Sequence, residues 1–156
     1  MSQSNDGEIQ RVDRLLDSTL ENVDLAEADV TRIATEAGFD EEDLHRIGIA
    51  VRETLVNAVV HGNRYSTRKK VHFSVSHTVE QPPGQPPKDC LAVVIEDEGE
   101  GFQKTEVPDP LAEENLLRHS GRGLLLIQAF MDEFEMRPRV PNGTEVKMVK
   151  YVAKAS

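Results

Sequence analysis

Apolar residues recur first at helical spacing. Val23, Ala26, Val30, Ile33 and Ala37 predict a helix entered through the capping-box spacing of Ser18 and Glu21 and ended by Gly38. Asp40, with Asp43 three positions on, starts a second helix whose core stripe is Leu44, Ile47, Val51 and Leu55, and which Gly62 and Asn63 break. Ahead of both, Val12 to Asp17 is a weak strand pattern after ten loose residues. At Val71 the period changes to two: Val71, Phe73, Val75 and Val79 alternate with polar residues, as a half-buried strand requires. HTVEQPPGQPPKD then reads as an extended hairpin connection, because its prolines exclude it from a sheet interior.

Cys90 to Glu96 is almost continuously apolar and predicts a central strand. Lys104 to His119, with two prolines and many polar groups, reads as a mobile segment holding a short helix around Leu111 to Leu117. GRGLLLIQAFMDEF starts at a glycine hinge and runs into a short buried helix. Phe134 and Met136 mark another strand, PNG a turn, and Val146, Met148, Lys150 and Val152 a last alternating strand. This order predicts an α/β fold: a two-layer α/β sandwich with a mixed, mostly antiparallel sheet and helices on one face, rather than a doubly wound βαβ array.

A chain of 156 residues suits one domain, expected over residues 11–154 after a flexible 1–10. The net charge of −10, from 28 acidic and 18 basic residues, argues against a dedicated nucleic-acid binder and gives little attraction to an anionic membrane. Protein or nucleotide partners fit that charge better. The one cysteine, Cys90, permits no intrachain disulfide framework or cysteine zinc site, and its place in an apolar strand predicts a buried thiol. With no transmembrane-length run and no signal-peptide pattern, the expected location is cytoplasmic.

Inside the second helix, Glu53, Asn57 and His61 recur every four residues in ETLVNAVVHG and are expected along one face. Asn57 can offer a neutral oxygen to magnesium, and Glu53 can accept a proton or position an attacking group. His61 either contacts phosphate or caps the helix end. In EDEGEGF, Asp97 can accept an amino hydrogen from a base, while Gly99 and Gly101 permit close backbone approach. In SGRGL, Gly121 and Gly123 can turn N–H groups toward phosphates ahead of Leu124, and Arg122 either adds charge or faces water. NGTEV is a turn entering a strand, with Thr144 placed to offer a hydroxyl near a base. Each motif alone is also what an ordinary turn or cap would leave; their order and separation point to a Mg-ATP site. The phosphate-loop and dinucleotide signatures are absent, as are the eukaryotic-type kinase motifs. His45 reads as a helix-surface residue, and neither His72 nor His77 groups with other metal ligands.

From Val12 to Val152 the chain resembles the GHKL, or Bergerat-fold, ATPase superfamily through ETLVNAVVHG, EDEGEGF, SGRGLLLI and NGTEV, and within it the anti-sigma-factor serine/threonine kinase group. The resemblance implies Glu53 as general base, Asn57 as magnesium ligand and Asp97 as the adenine amino contact. It implies Gly99 and Gly101 as base-side backbone positions, Gly121 to Gly123 as the phosphate-side lid hinge, and Thr144 as a back-wall hydroxyl. ATP and Mg2+ are the implied cofactors. The implied activity is phosphoryl transfer to a serine or threonine of an anti-sigma-factor antagonist, with a sigma factor as second partner and a homodimer as the assembly. The compact segment before Gly121 and the lack of phosphoacceptor-helix or transducer domains favour this group over sensor kinases, gyrases and chaperones. Two alternatives stand beside it: an ATP-binding module that transfers no phosphate, and a kinase acting outside sigma-factor control. The proline-rich 81–87 connection departs from the compact hairpin expected of the group, and is either a tolerated loop insertion or a change to a partner surface that leaves ATP chemistry untouched.

Overall fold

The computed structural model describes residues 7–81, 83–99 and 123–153. Gly101, Gly121, Arg122 and the short helix expected at 111–117 lie outside them. In chain order the elements are β1 (Glu8–Asp17), α1 (Leu20–Ala37), α2 (Glu41–Val56), a π-helical turn (Asn57–Gly62), β2 (Lys70–Glu80), β3 (Lys88–Glu96), α3 (Gly123–Phe130), β4 (Glu133–Pro138) and β5 (Thr144–Tyr151). The strands form one sheet in the order β1-β2-β3-β5-β4, antiparallel at every pairing. The helices pack on one layer of it, giving the two-layer α/β sandwich that the pattern predicts.

Both helical stripes pack as expected, with Leu44 only partly buried: Val23, Ala26, Val30 and Ile33 from α1 and Ile47, Val51 and Leu55 from α2 join Phe73, Val75, Leu91, Val93, Ile95 and Met148 of the sheet in one core. Leu91, Ile95 and Met148 are at most 1% exposed, and burial of each such side chain contributes roughly 2 kcal/mol. β3 lies at the centre of the sheet, which explains its apolar run, and Cys90 is buried in it. No helix among the described residues is long and apolar enough to cross a membrane.

Three boundaries differ from the sequence reading. The cap of α1 is Thr19, whose hydroxyl accepts from the Asn22 N–H; Ser18 is buried and donates instead to the Lys69 carbonyl at 2.6 Å. β1 begins at Glu8 rather than Val12: Glu8 and Gln10 pair with Thr78 and His77 across a bulge, and because these two half-buried positions are polar while outward Ile9 is apolar, the start of the strand shows no apolar-in, polar-out pattern. The hairpin strands reach Glu80 and start again at Lys88. His77, Thr78, Glu80, Lys88 and Asp89, expected in the connection, are therefore strand residues alongside Val79, and polar pairs such as Glu80 with Lys88 hid the period.

Candidate nucleotide-binding site

Where β3 and β5 end beside the π-helical turn, the layers part around a cavity of about 220 Å3. Ile95, Val146, Met136, Leu124 and Ile127 supply its apolar wall, from β3, β5, β4 and α3. The polar wall comes from Asn57, His61, Arg64, Lys69, Asp97 and Thr144. An apolar slot with a few converging polar groups is the usual form of a small-molecule site.

Asp97 lies just past the end of β3 and is 7% exposed. Its N–H donates to the Thr144 carbonyl at 3.0 Å, and its Oδ1 accepts from the Gly99 N–H at 2.9 Å. Burial raises the carboxyl from 3.8 to about 6, opposed by the backbone N–H of Gly99, the Thr144 backbone, and the positive charges of Arg139 and Lys69. A carboxyl held at this cost has spare acceptor capacity and suits a ligand donor.

Three glycines make room for it. A Cβ on Gly62 would stand 2.4 Å from the Asp97 Cγ, one on Gly99 would stand 2.0 Å from the Gly62 carbonyl oxygen, and one on Gly143 would stand 1.9 Å from the Asp97 carbonyl oxygen. Gly143 also has φ 110°, a left-handed conformation that disfavours other residues. The turn around Asp97 is tied down further by its neighbours. The Glu98 N–H donates to Asn63 Oδ1 at 2.8 Å, and Asn142 Nδ2 donates to the Glu98 carbonyl at 2.7 Å and to the Gly99 carbonyl at 3.1 Å. The Glu98 carboxylate accepts from the Lys70 N–H and pairs with His72, which hold its pKa below the ordinary value.

The face expected of Glu53, Asn57 and His61 is only partly realised. Beyond Val56 the hydrogen bonds widen, with the Asn63 N–H reaching back to the Ala58 carbonyl at 2.8 Å, and the wider turn breaks the four-residue register. Half-buried Asn57 and exposed His61 reach the cavity wall together with Thr54 and Ala58. Glu53 is half-buried one turn earlier and does not line the cavity. After the turn, Arg64 and Tyr65 take positive φ values of 51° and 59°, which fold the chain back and leave Arg64 on the cavity wall.

The structure thus gathers Asn57, His61, Asp97, Leu124 and Thr144 around one cavity, with Gly99 pressed against its floor. Gly123 is buried at the first position of α3 and is not a wall residue. The sequence reading missed Thr54, Arg64, Lys69, Gly62, Gly143, Asn63 and Asn142. Gly62, Asn63 and Gly143 were visible only as breakers and turn formers; Lys69 and Arg64 carried no signal.

Among the described residues no group of three or more His, Cys, Asp or Glu side chains could hold a metal. That donor set fits magnesium only as a partner of a bound phosphate chain, since Mg2+ keeps waters and phosphate oxygens and needs few protein ligands. Asn57 is then the residue that would hold it.

The sequence profile of the histidine kinase-like ATPase domain matches residues 16–150. The serine-protein kinase RsbW of Oceanobacillus iheyensis is 28% identical over 139 residues, covering 85% of this chain and 81% of its own. An anti-sigma F factor of Anoxybacillus flavithermus is 29% identical over 119 residues, 73% of each chain. The RsbW serine-protein kinase of Staphylococcus aureus is 27% identical over 146 residues, covering 88% of this chain and 84% of its own.

Proposed function

The chain belongs to the histidine kinase-like ATPase domain family, and from that premise we propose that it is an ATP-dependent protein serine/threonine kinase of the anti-sigma-factor type, acting on an antagonist protein. The observation that carries this reading is Asp97: a buried, raised-pKa carboxyl on the floor of an apolar cavity, cradled by three glycines and facing a wall that contains Asn57. The serine-protein kinase and anti-sigma F factor among its relatives support the activity and the class of partner.

In this reading Asp97 accepts the exocyclic amino hydrogen of adenine, and Ile95, Val146 and Met136 hold the base apart from water. Thr144 adds a hydroxyl beside Asp97. Asn57 offers an oxygen to Mg2+, which when bound neutralises charge on the phosphates. Lys69, Arg64 and His61 supply donors on the same wall, and Gly121 to Gly123 supply backbone N–H groups. Glu53 takes the proton of the acceptor hydroxyl, so that hydroxyl must come in beside the cavity rather than through it. A sigma factor as second partner and a homodimer complete the proposal.

One observation favours the rival reading of a nucleotide-dependent interaction module: Glu53 stands off the cavity wall. Radiolabelled Mg-ATP presented with small antagonist-domain proteins separates the two. Labelled phosphoserine or phosphothreonine on an antagonist supports the kinase; antagonist association and ATP binding without label support the module.

A further inference from the structure

Two cationic side chains, Arg64 and Lys69, stand on the cavity wall. Elsewhere the basic residues are mostly taken up: Arg11, Arg14, Arg46, Arg52, Arg137 and Arg139 each pair with an Asp or Glu. Among the described residues no hydrogen bond or ion pair occupies the Lys69 ammonium. Arg64 is exposed, whereas Lys69 is half-buried. A half-buried ammonium without a partner, in a chain of net charge −10, is a donor left for a ligand.

The backbone around Lys69 fixes which end of the cavity it serves. Asp97 stands against Gly62, the last residue of the π-helical turn, and Asn57 opens that turn. At helical rise the two ends of the turn are roughly 7 Å apart. In the functional reading above, the polar wall therefore runs from Asn57 at the metal and phosphates to Asp97 at the base. Lys69 is built into the Asp97 end. The Ser18 hydroxyl donates to its carbonyl at 2.6 Å, and Asn63 Nδ2 donates to Ser18 Oγ and to the Lys70 carbonyl, both at 2.9 Å. The Lys70 N–H donates to Glu98 Oε1 at 2.9 Å, and the Glu98 N–H donates to Asn63 Oδ1 at 2.8 Å. Lys69 is thus tied to Asn63, the residue after Gly62, and to Glu98, the residue after Asp97. Its charge is also among those that draw the Asp97 carboxyl back down against burial, as nearness requires.

We propose that Lys69 recognises the nucleoside rather than the phosphates, its ammonium donating to a neutral acceptor at the Asp97 end of the ligand, a ring nitrogen of the base or a ribose hydroxyl. Asp97 and Lys69 then present an acceptor and a donor at one end of the slot, which fixes how the base is turned as well as where its amino group lies. This role rests on the ATP reading above and falls to a residue outside all four sequence motifs.

The test is calorimetric titration of the full chain with adenine, adenosine and Mg-ATP, on wild type, Lys69→Met and Asn57→Ala. At pH 8, well above the Asp97 pKa of about 6, that carboxyl is ionised throughout, so a loss of affinity does not run through its titration. Lys69→Met keeps an unbranched stem and removes the ammonium; it should weaken adenosine and Mg-ATP by the same factor, about tenfold or more. The same loss for adenine assigns the contact to a ring nitrogen, and a loss that begins at adenosine assigns it to the ribose. Asn57→Ala should weaken Mg-ATP alone. A Lys69→Met loss confined to Mg-ATP, or several-fold larger for Mg-ATP than for adenosine, makes Lys69 a phosphate contact and overturns the proposal, as does unchanged affinity for all three ligands. Either result leaves the ATP reading standing. A wild type that binds none of the three overturns the ATP reading and the Lys69 role together.

Discussion

Gly62 and Asp97 are packed so closely that a Cβ on the glycine would stand 2.4 Å from both the Cγ and the Oδ2 of the aspartate. The end of the π-helical turn and the end of β3 therefore define the cavity floor jointly. Gly62→Ala should displace the Asp97 carboxylate, weaken ATP binding by about tenfold or more, and cost about 1–3 kcal/mol of stability through overpacking. Calorimetric titration and a thermal melt check this. Unchanged affinity would mean that Asp97 does not read the ligand from its present position.

Asp97 also sets a pH dependence. Its folded pKa is raised from 3.8 to about 6 by burial. Between those values the folded state holds a proton that the unfolded chain has lost, so stability falls as pH rises through the window. Above it the charged carboxyl costs roughly 3 kcal/mol. Asp97→Asn should remove that penalty: denaturant unfolding should show a stabler variant at pH 7 and little difference near pH 3.5. The same substitution should abolish the preference for ATP over GTP. In the wild type, ATP affinity should decline as pH falls through about 6.

Asn57 is on the cavity wall in a region that offers no metal-binding cluster among the described residues. Asn57→Ala should therefore remove the dependence of ATP affinity on magnesium while leaving a weaker, metal-independent binding. Titrations with Mg2+ and with a chelator give the comparison; a variant with the wild-type magnesium effect would contradict the assignment.

Asn63 is 1% exposed and joins three segments, donating from Nδ2 to Ser18 Oγ and to the Lys70 carbonyl, both at 2.9 Å, and accepting from the Glu98 N–H at 2.8 Å. Asn63→Ala leaves buried polar groups without partners and should destabilise by about 2–4 kcal/mol. Because Glu98 follows Asp97, ATP affinity should fall in a variant that still folds. Equilibrium unfolding and calorimetry report the two effects separately.

How much of this was legible follows from which forces act locally. The stripes of α1 and α2 came from periodicity, the central position of β3 from its unbroken apolar run, and the placing of the helices on one face from the order of elements, because burial marks each element locally. Asp97 and Thr144 were legible as motif residues, yet nothing in EDEGEGF or NGTEV told that Gly62 and Gly143 close on the same carboxylate. That contact joins residues distant in sequence. The π-helical turn was hidden because ETLVNAVVHG is equally good α-helix, and it changes which of Glu53, Asn57 and His61 meet the cavity. Thr19 displaced Ser18 as the cap of α1 since the Ser18 hydroxyl is used by Lys69 and Asn63.

Glu53 tests the kinase account most directly, being the residue assigned to chemistry yet standing beside the cavity. Glu53→Gln should be assayed for Mg-ATP affinity and for phosphate transfer to a labelled antagonist in the same preparation. Affinity within about threefold of wild type, with transfer reduced by about a hundredfold or more, is the result the account predicts. Transfer at the wild-type rate would contradict it.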